Sequence, residues 1–266
     1  MGESEKNSKG FFRSLLDILK ASPDVPDSLE DNPTLKLIFS RRSIRHFKDK
    51  PVPEEAVKAI LEAGRMAPSG VNLQTWTFIC FSRDSWQERF SRSIPFNGQR
   101  AIIILADTHR VDQLGSAFDF PEAPLVMHTM AVFNAGLAAM NMTLAAEACG
   151  LSSIMLSETG KTGLLDVGEL KEKLGLPDGA IPITTLVIGY RRAGVFPIPP
   201  RLPLNAICGQ ATYPEPDQGI LLAWEDEMKA GYRAMRPRSS FEAQVAVYAQ
   251  KIQEAEAALK AFVLKD

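Results

Sequence analysis

Cysteine, histidine and one-sided charge are all scarce in this chain, and each scarcity removes a class of function. Three cysteines (Cys80, Cys149 and Cys208) are spread over 266 residues with no Cys-x-x-Cys pair, which excludes a dense disulfide framework and a thiolate zinc site. Thiols this sparse fit a reducing, cytoplasmic setting. His46, His109 and His128 stand apart from one another and from the cysteines, so no metal-ligand spacing arises. A formal net charge of −2 argues against a nucleic-acid surface as the main business of the chain. Gly-x-Gly-x-x-Gly, Walker A and Gly-x-Ser-x-Gly are all missing, which argues against a Rossmann site, a P-loop and a hydrolase elbow. No apolar run reaches membrane-spanning length, and Met1–Lys6 lacks the apolar stretch of a signal peptide. Lys6 also stands where a myristoylation signal needs Ser or Thr.

What is present begins with bulk: 45% of the residues are hydrophobic, enough for one large domain or two small ones. Residues 1–32 are polar apart from a helically spaced cluster, Phe11, Phe12, Leu15, Leu16, Ile18 and Leu19, that ends before Pro23 and Pro26. This is an arm for a partner subunit or a loosely attached leader helix. Residues 34–40 read as a first helix. Pro53-Glu54-Glu55 opens another, since proline suits the first turn and the helix dipole favours acids there; Val57, Ile60 and Leu61 form its inward stripe. Thr77–Phe81, Ala101–Leu105 and Ile183–Tyr190 read as strands. Residues 127–149 form a long helix, apolar or small almost all round, expected to run through the core. Val167–Leu174 is a short helix stopped by Gly175 and Pro177. Near the end, Phe241, Val245, Tyr248, Ile252, Ala255, Leu259 and Phe262 alternate by four and three, which suits a helix packed on its own domain or a short coiled coil.

Two polar segments carry the chemistry. Arg41-Arg42-Ser43-Ile44-Arg45 puts three guanidinium groups and a hydroxyl into five residues, and arginine's planar fork gives bidentate, charge-assisted bonds to phosphate. The ordinary alternative is a solvated arginine face. Pro68-Ser69-Gly70-Val71-Asn72-Leu73-Gln74 offers two carboxamides in a tight turn. A carboxamide presents donor and acceptor together, as the polar edge of a planar heterocycle requires, although such groups also serve simply to satisfy turn backbone. The proline-rich stretch 197–203 sets Arg201 on a stiff backbone and, by itself, reads as a linker.

In order and spacing, Arg41–Phe47, Pro51–Glu55 and Ala67–Trp76 resemble the nitroreductase family of flavin enzymes. Ala145–Ser153, with Leu174-Gly175-Leu176-Pro177 and the strand ending Ile188-Gly189-Tyr190, extends the likeness over residues 33–205. The resemblance implies an α+β, nitroreductase-like fold: a central, mostly antiparallel sheet flanked by helices, in an intertwined homodimer with FMN at the subunit interface. Residues 1–32 would then be an N-terminal arm, 33–205 the FMN domain and 206–266 a C-terminal extension carrying the heptad-like helix at 241–263. By position, Arg41, Arg42, Ser43 and Arg45 would hold the phosphate, ribityl chain and pyrimidine edge from one subunit. Pro68, Ser69, Asn72 and Gln74 would face the flavin from the other. Leu156, Ser157 and Glu158 occupy the segment whose backbone amide meets flavin N5 in family members, and Arg201 completes the phosphate site. Thr75 replaces the usual proline before Trp76, Ser157-Glu158 a more glycine-rich turn, Met140 a common glutamine and Asn134 a common acid; these changes are expected near the flavin face.

The implied activity is a two-stage cycle in which NADH or NADPH gives a hydride to FMN and an electron-poor acceptor, such as a nitroaromatic or quinone, then takes it. No catalytic side chain is needed, because the cofactor performs the chemistry. The alternatives are another reaction on the same fold (dehalogenation, flavin breakdown or dehydrogenation) or a non-enzymatic interaction protein built on the tails. The acceptor pocket is expected to be shaped by residues 84–125 and the partner subunit.

Overall fold

The computed structural model describes residues 22–114, 120–157, 162–194, 196–235 and 240–264. The apolar cluster at 11–19 and Glu158 lie outside the described residues. The chain divides into two compact units, 28–194 with 250–266 and 1–27 with 195–249.

The larger unit is organised by the strand whose sequence is most uniformly apolar. β2 (Arg100–Asp107) keeps Ile102, Ile103, Ile104 and Leu105 at 1% exposure or less, the pattern of a strand covered on both faces. It pairs antiparallel with β1 (Trp76–Ser82) on one side and β4 (Ala180–Gly189) on the other; β3 (Ser152–Leu156) then pairs antiparallel with β4. The sheet is therefore four-stranded, in the order β1-β2-β4-β3. Pro182 stands inside β4, where proline normally removes a ladder bond. It is tolerated because β3 pairs no farther along β4 than Thr185 and the β2 register shifts between Ile104 and Leu105 beside it.

Helices cover the sheet. α1 (Pro33–Ser40) begins at Asn32, whose side chain accepts from the Thr34 and Leu35 amides. α2 (Glu54–Arg65) carries its acids in the first turn and buries Val57, Ile60 and Gly64. A Cβ at Gly64 would come within 2.5 Å of Met142 Cε, so glycine lets α2 pack closely on the helix that carries Met142. α3 (Arg83–Phe90) starts at a Ser82/Ser85 capping box and packs Trp86 and Phe90 on Phe81, with Trp86 and Phe90 ring centroids 4.4 Å apart. α5 (Val167–Leu174) packs on β4.

α4 (Pro124–Ala148) departs from expectation. Ala131, Ala135, Ala138, Ala139, Met142 and Ala146 are buried on one side, where the helix lies on α2 and all four strands. Val126 (59%), Met130 (37%) and Phe133 (67%) are exposed on another side. Within one chain the helix is half covered rather than threaded through a core. Among the described residues it is also the one helix long and apolar enough, by length and composition, to cross a membrane, contrary to the sequence expectation. Its polar Thr129, Asn134, Asn141 and Thr143 interrupt the run, and its alanine face is the side buried against α2 and the sheet.

In the smaller unit, α6 (Leu204–Ile207) follows the proline-rich stretch and α7 (Gln218–Met235) comes next. Trp224 Nε1 donates to Pro200 O at 3.3 Å. α8 (Phe241–Val263) is one continuous helix whose first part belongs to this unit, where the Tyr232 and Phe241 rings meet at 5.8 Å. Val245 and Tyr248 of the heptad-like seam are 48% and 43% exposed. The last part belongs to the larger unit: Ala255 is 4% exposed and Lys171 sits 4.8 Å over the Phe262 ring.

Candidate cofactor-binding site

The arginine segment is pinned by its apolar members. Ile44 and Phe47 are 1% and 0% exposed, and between them the backbone joins the sheet margin. The Ile44 amide donates to Ser153 O at 3.0 Å and the Lys48 amide to Tyr190 O at 2.7 Å. Ser43 bridges Ser153 beside β3, and Phe47 bridges Arg191 just past β4. Burying Ile44 and Phe47 leaves Ser43 and Arg45 exposed and Arg41 and Arg42 half-buried.

The charges converge on one acid. Burial raises the Glu147 carboxyl above its ordinary value, while the charges of Arg191, Arg41 and Arg42 pull it back down. Three guanidinium groups therefore share one neighbourhood near the end of α4. Glu147 Oε1 and Ser153 Oγ are buried there without a hydrogen-bond partner among the described residues. Arg42 also closes α1, donating to Phe39 O at 2.6 Å and Arg41 O at 2.8 Å. Arg191 was not singled out from the sequence; the Arg191-Arg192 pair directly after a strand was the available signal. The donor set, three arginines with the Ser43 hydroxyl, matches a dianionic phosphate.

The carboxamide segment is built differently. Val71, Asn72 and Gln74 all have left-handed φ values of 49°, 56° and 49°, a conformation that costs roughly 1–2 kcal/mol per non-glycine residue. The Gln74 amide donates to Ser69 Oγ at 3.0 Å and the Asn72 amide to Ser69 O at 3.1 Å. Pro68 and Asn72 are exposed, Ser69 and Gln74 half-buried. Strain of this kind clusters where a loop must present particular groups, and here those groups are two carboxamides suited to a pyrimidine edge.

Two departures noted in the sequence explain each other. Thr75 and Asn134 are 2% and 3% exposed, and Asn134 Nδ2 donates to Thr75 Oγ1 at 2.8 Å. They form a buried hydrogen bond tying the loop to α4.

Leu156 ends β3 at 6% exposure and accepts from Thr184 Oγ1 at 3.1 Å. Ser157 follows, its carbonyl accepting from the Leu165 amide at 3.0 Å. A Cβ on Gly163 would lie 2.8 Å from Ser157 Cα, so glycine is what lets the 157 backbone sit there. Arg201 is exposed on the proline-rich stretch of the smaller unit.

The strand register shows how far apart the two segments are. Trp76, at the end of the carboxamide loop, stands level with Ala106 and Ile181 at one end of the sheet. Ser153, beside the arginine segment, stands level with Ile188, Arg100 and Ser82 at the other. They are three strand spacings and six residues apart, or about 14 Å across and about 20 Å along. One chain therefore places the two segments at opposite corners of the sheet.

Comparison with known proteins follows the same residues: the family model described as the nitroreductase family matches residues 38–190. The chain belongs to the nitroreductase family. A Bacillus subtilis relative described as "FMN reductase [NAD(P)H]" is 31% identical over 208 residues, spanning 74% of this chain and 82% of its own. A Salmonella typhimurium relative described as "Oxygen-insensitive NADPH nitroreductase" is 26% identical, spanning 76% of this chain and 83% of its own. The structure of Bacillus megaterium NfrA1 shares the fold, with a TM-score of 0.69 at 24% identity over 87% of this chain and 99% of that one. The α+β architecture with an antiparallel central sheet is thus that of the nitroreductase family.

Proposed function

We propose that this nitroreductase-family chain is an FMN-dependent oxidoreductase that takes a hydride from NADH or NADPH and passes it to an electron-poor small molecule, working as a homodimer in a cytoplasmic, reducing setting. The observation that carries the reading is the pair of segments at opposite corners of one sheet. One suits a phosphate and the other a heterocycle edge, and they lie farther apart than one flavin mononucleotide reaches. A second copy of the chain brings the carboxamide corner of one subunit to the arginine corner of the other. The exposed Val126, Met130 and Phe133 stripe of α4 supports such an interface, because apolar area of this kind is worth covering at about 25 cal/mol per Å². Gly70 of the carboxamide loop adjoins that stripe: a Cβ there would sit 3.2 Å from Met130 Cε.

FMN, when bound, supplies the two-electron chemistry. The protein's part is binding and orientation. Arg41, Arg42 and Ser43 would hold the phosphate end and Arg45 would bring positive charge towards the ring edge. Pro68, Ser69, Asn72 and Gln74 would orient the pyrimidine edge from the partner, and Leu156 and Ser157 at the end of β3 would lie along the ring. The relatives described as an NAD(P)H-linked FMN reductase and an NADPH nitroreductase support nicotinamide as reductant.

The test is an absorption spectrum followed by anaerobic titration. Protein that regains a flavin spectrum with added FMN and bleaches stoichiometrically with NADH or NADPH meets the expectation. Colourless protein that stays colourless refutes the cofactor, and flavin that does not bleach refutes the nicotinamide-linked reaction.

A further inference from the structure

The strained carboxamide loop needs something to hold it, and the structure supplies a brace from the end of β2. Asp107, the last residue of β2, is 6% exposed, and its amide donates to Thr75 O at 3.1 Å. Its Oδ2 accepts from Thr77 Oγ1 and lies 3.4 Å from Arg110 Nε. Arg110 Nη2 in turn donates to Trp76 O and, at 3.4 Å, to Gln74 O. One guanidinium thus bridges a buried carboxylate and the carbonyls on either side of Thr75. Asn134 Nδ2 also donates to the Thr75 hydroxyl. The three left-handed residues Val71, Asn72 and Gln74 lie just upstream, with no proline to fix the exit into β1.

We propose that Arg110, oriented by Asp107, is a positioning residue for the cofactor: it locks the Gln74–Trp76 backbone so that the Asn72 and Gln74 carboxamides meet the flavin edge at a set angle. The Arg110 side chain is 56% exposed, so the Coulomb attraction to Asp107 is largely screened. What matters is the fork geometry, which holds the Asp107 carboxylate on Nε and the two carbonyls on Nη2 at once. The inference rests on the FMN reading of the same loop.

The experiment uses full-length R110A, R110K and D107N. FMN affinity is measured by flavin fluorescence, the setting of the ring by the visible circular dichroism of bound flavin, and folding by the urea midpoint of the flavin-free protein. R110A is expected to bind FMN roughly tenfold more weakly, as loss of a charge-assisted hydrogen bond implies, with altered flavin dichroism and little change in urea midpoint. Millimolar guanidinium ion is expected to recover affinity in R110A and to leave the wild type unchanged. R110K keeps the charge without the fork and is expected to resemble R110A, which keeps the test decisive if the alanine variant folds poorly. Unchanged affinity and dichroism in R110A overturn the proposal while the FMN reading stands. Losses that merely track the urea midpoint, without guanidinium rescue, overturn it as well. A wild type that binds no FMN overturns both.

Discussion

The arginine corner and the carboxamide corner solve the same problem by opposite means. At the arginine corner no residue is left-handed, the backbone is anchored by two buried side chains, Ile44 and Phe47, and the proposed role lies in charge. At the carboxamide corner charge is absent from the presenting groups and the backbone is unusual, with three left-handed residues braced by Asn134, Asp107 and Arg110. A phosphate tolerates loose placement because long flexible guanidinium groups reach it. A ring edge read by hydrogen bonds does not, since such bonds weaken steeply off axis.

The contrast can be broken most severely at its anchor. Phe47→Ala removes a fully buried ring and is expected to cost about 3–5 kcal/mol of unfolding free energy, read by urea titration; a cost below about 1 kcal/mol would show that this residue is no anchor. Next is charge. The double variant Arg41→Ala/Arg42→Ala is expected to weaken FMN binding by about a hundredfold while leaving riboflavin, which lacks the phosphate, nearly unaffected. Equal losses for both ligands would mean that the arginines do not serve the phosphate.

At the other corner, Asn134→Ala leaves the Thr75 hydroxyl buried without its donor and is expected to cost about 1–3 kcal/mol. A Thr75→Val/Asn134→Ala cycle measures the coupling, and strict additivity would contradict the shared bond. Val71→Asn, placing a residue that tolerates the left-handed region, is expected to raise stability by about 1 kcal/mol. No gain would argue that the loop's strain is already relieved in solution.

The smallest effect concerns pH at Glu147. Burial holds its carboxyl above the ordinary 4.5, so the folded chain binds this proton more readily than the unfolded one. The stabilising contribution is present at low pH and is lost as pH rises through the folded-state value. Glu147→Gln is expected to flatten the stability profile just above pH 4.5, measured by thermal melts across pH 4 to 7. An unchanged slope would remove Glu147 as its source.

The elements most legible in the sequence were those whose periodicity and punctuation agree. α2 with its Pro53-Glu54-Glu55 start, β2 with its isoleucine run, and α5 with Gly175 behind it fall close to expectation. β3 is not among the strands expected from the sequence: Ser152 and Ser153 break its apolar character, and only pairing with β4 makes Ser152–Leu156 a strand. α3 was missed because its residues show little helical patterning, although the Ser82/Ser85 capping box was there to be read.

By itself, the sequence determined which chemical groups are available: the arginines, the carboxamides, the apolar runs and the absence of metal-ligating or nucleophilic motifs. These are properties of side chains and local spacing, and they survive in a linear reading. Only the tertiary structure decided that the two polar segments stand at opposite corners of the sheet, that one flank of α4 is left uncovered, and that Thr75 and Asn134 satisfy each other across 59 residues. Those outcomes depend on strand order and register, which are set by long-range pairing and burial and which no local window contains.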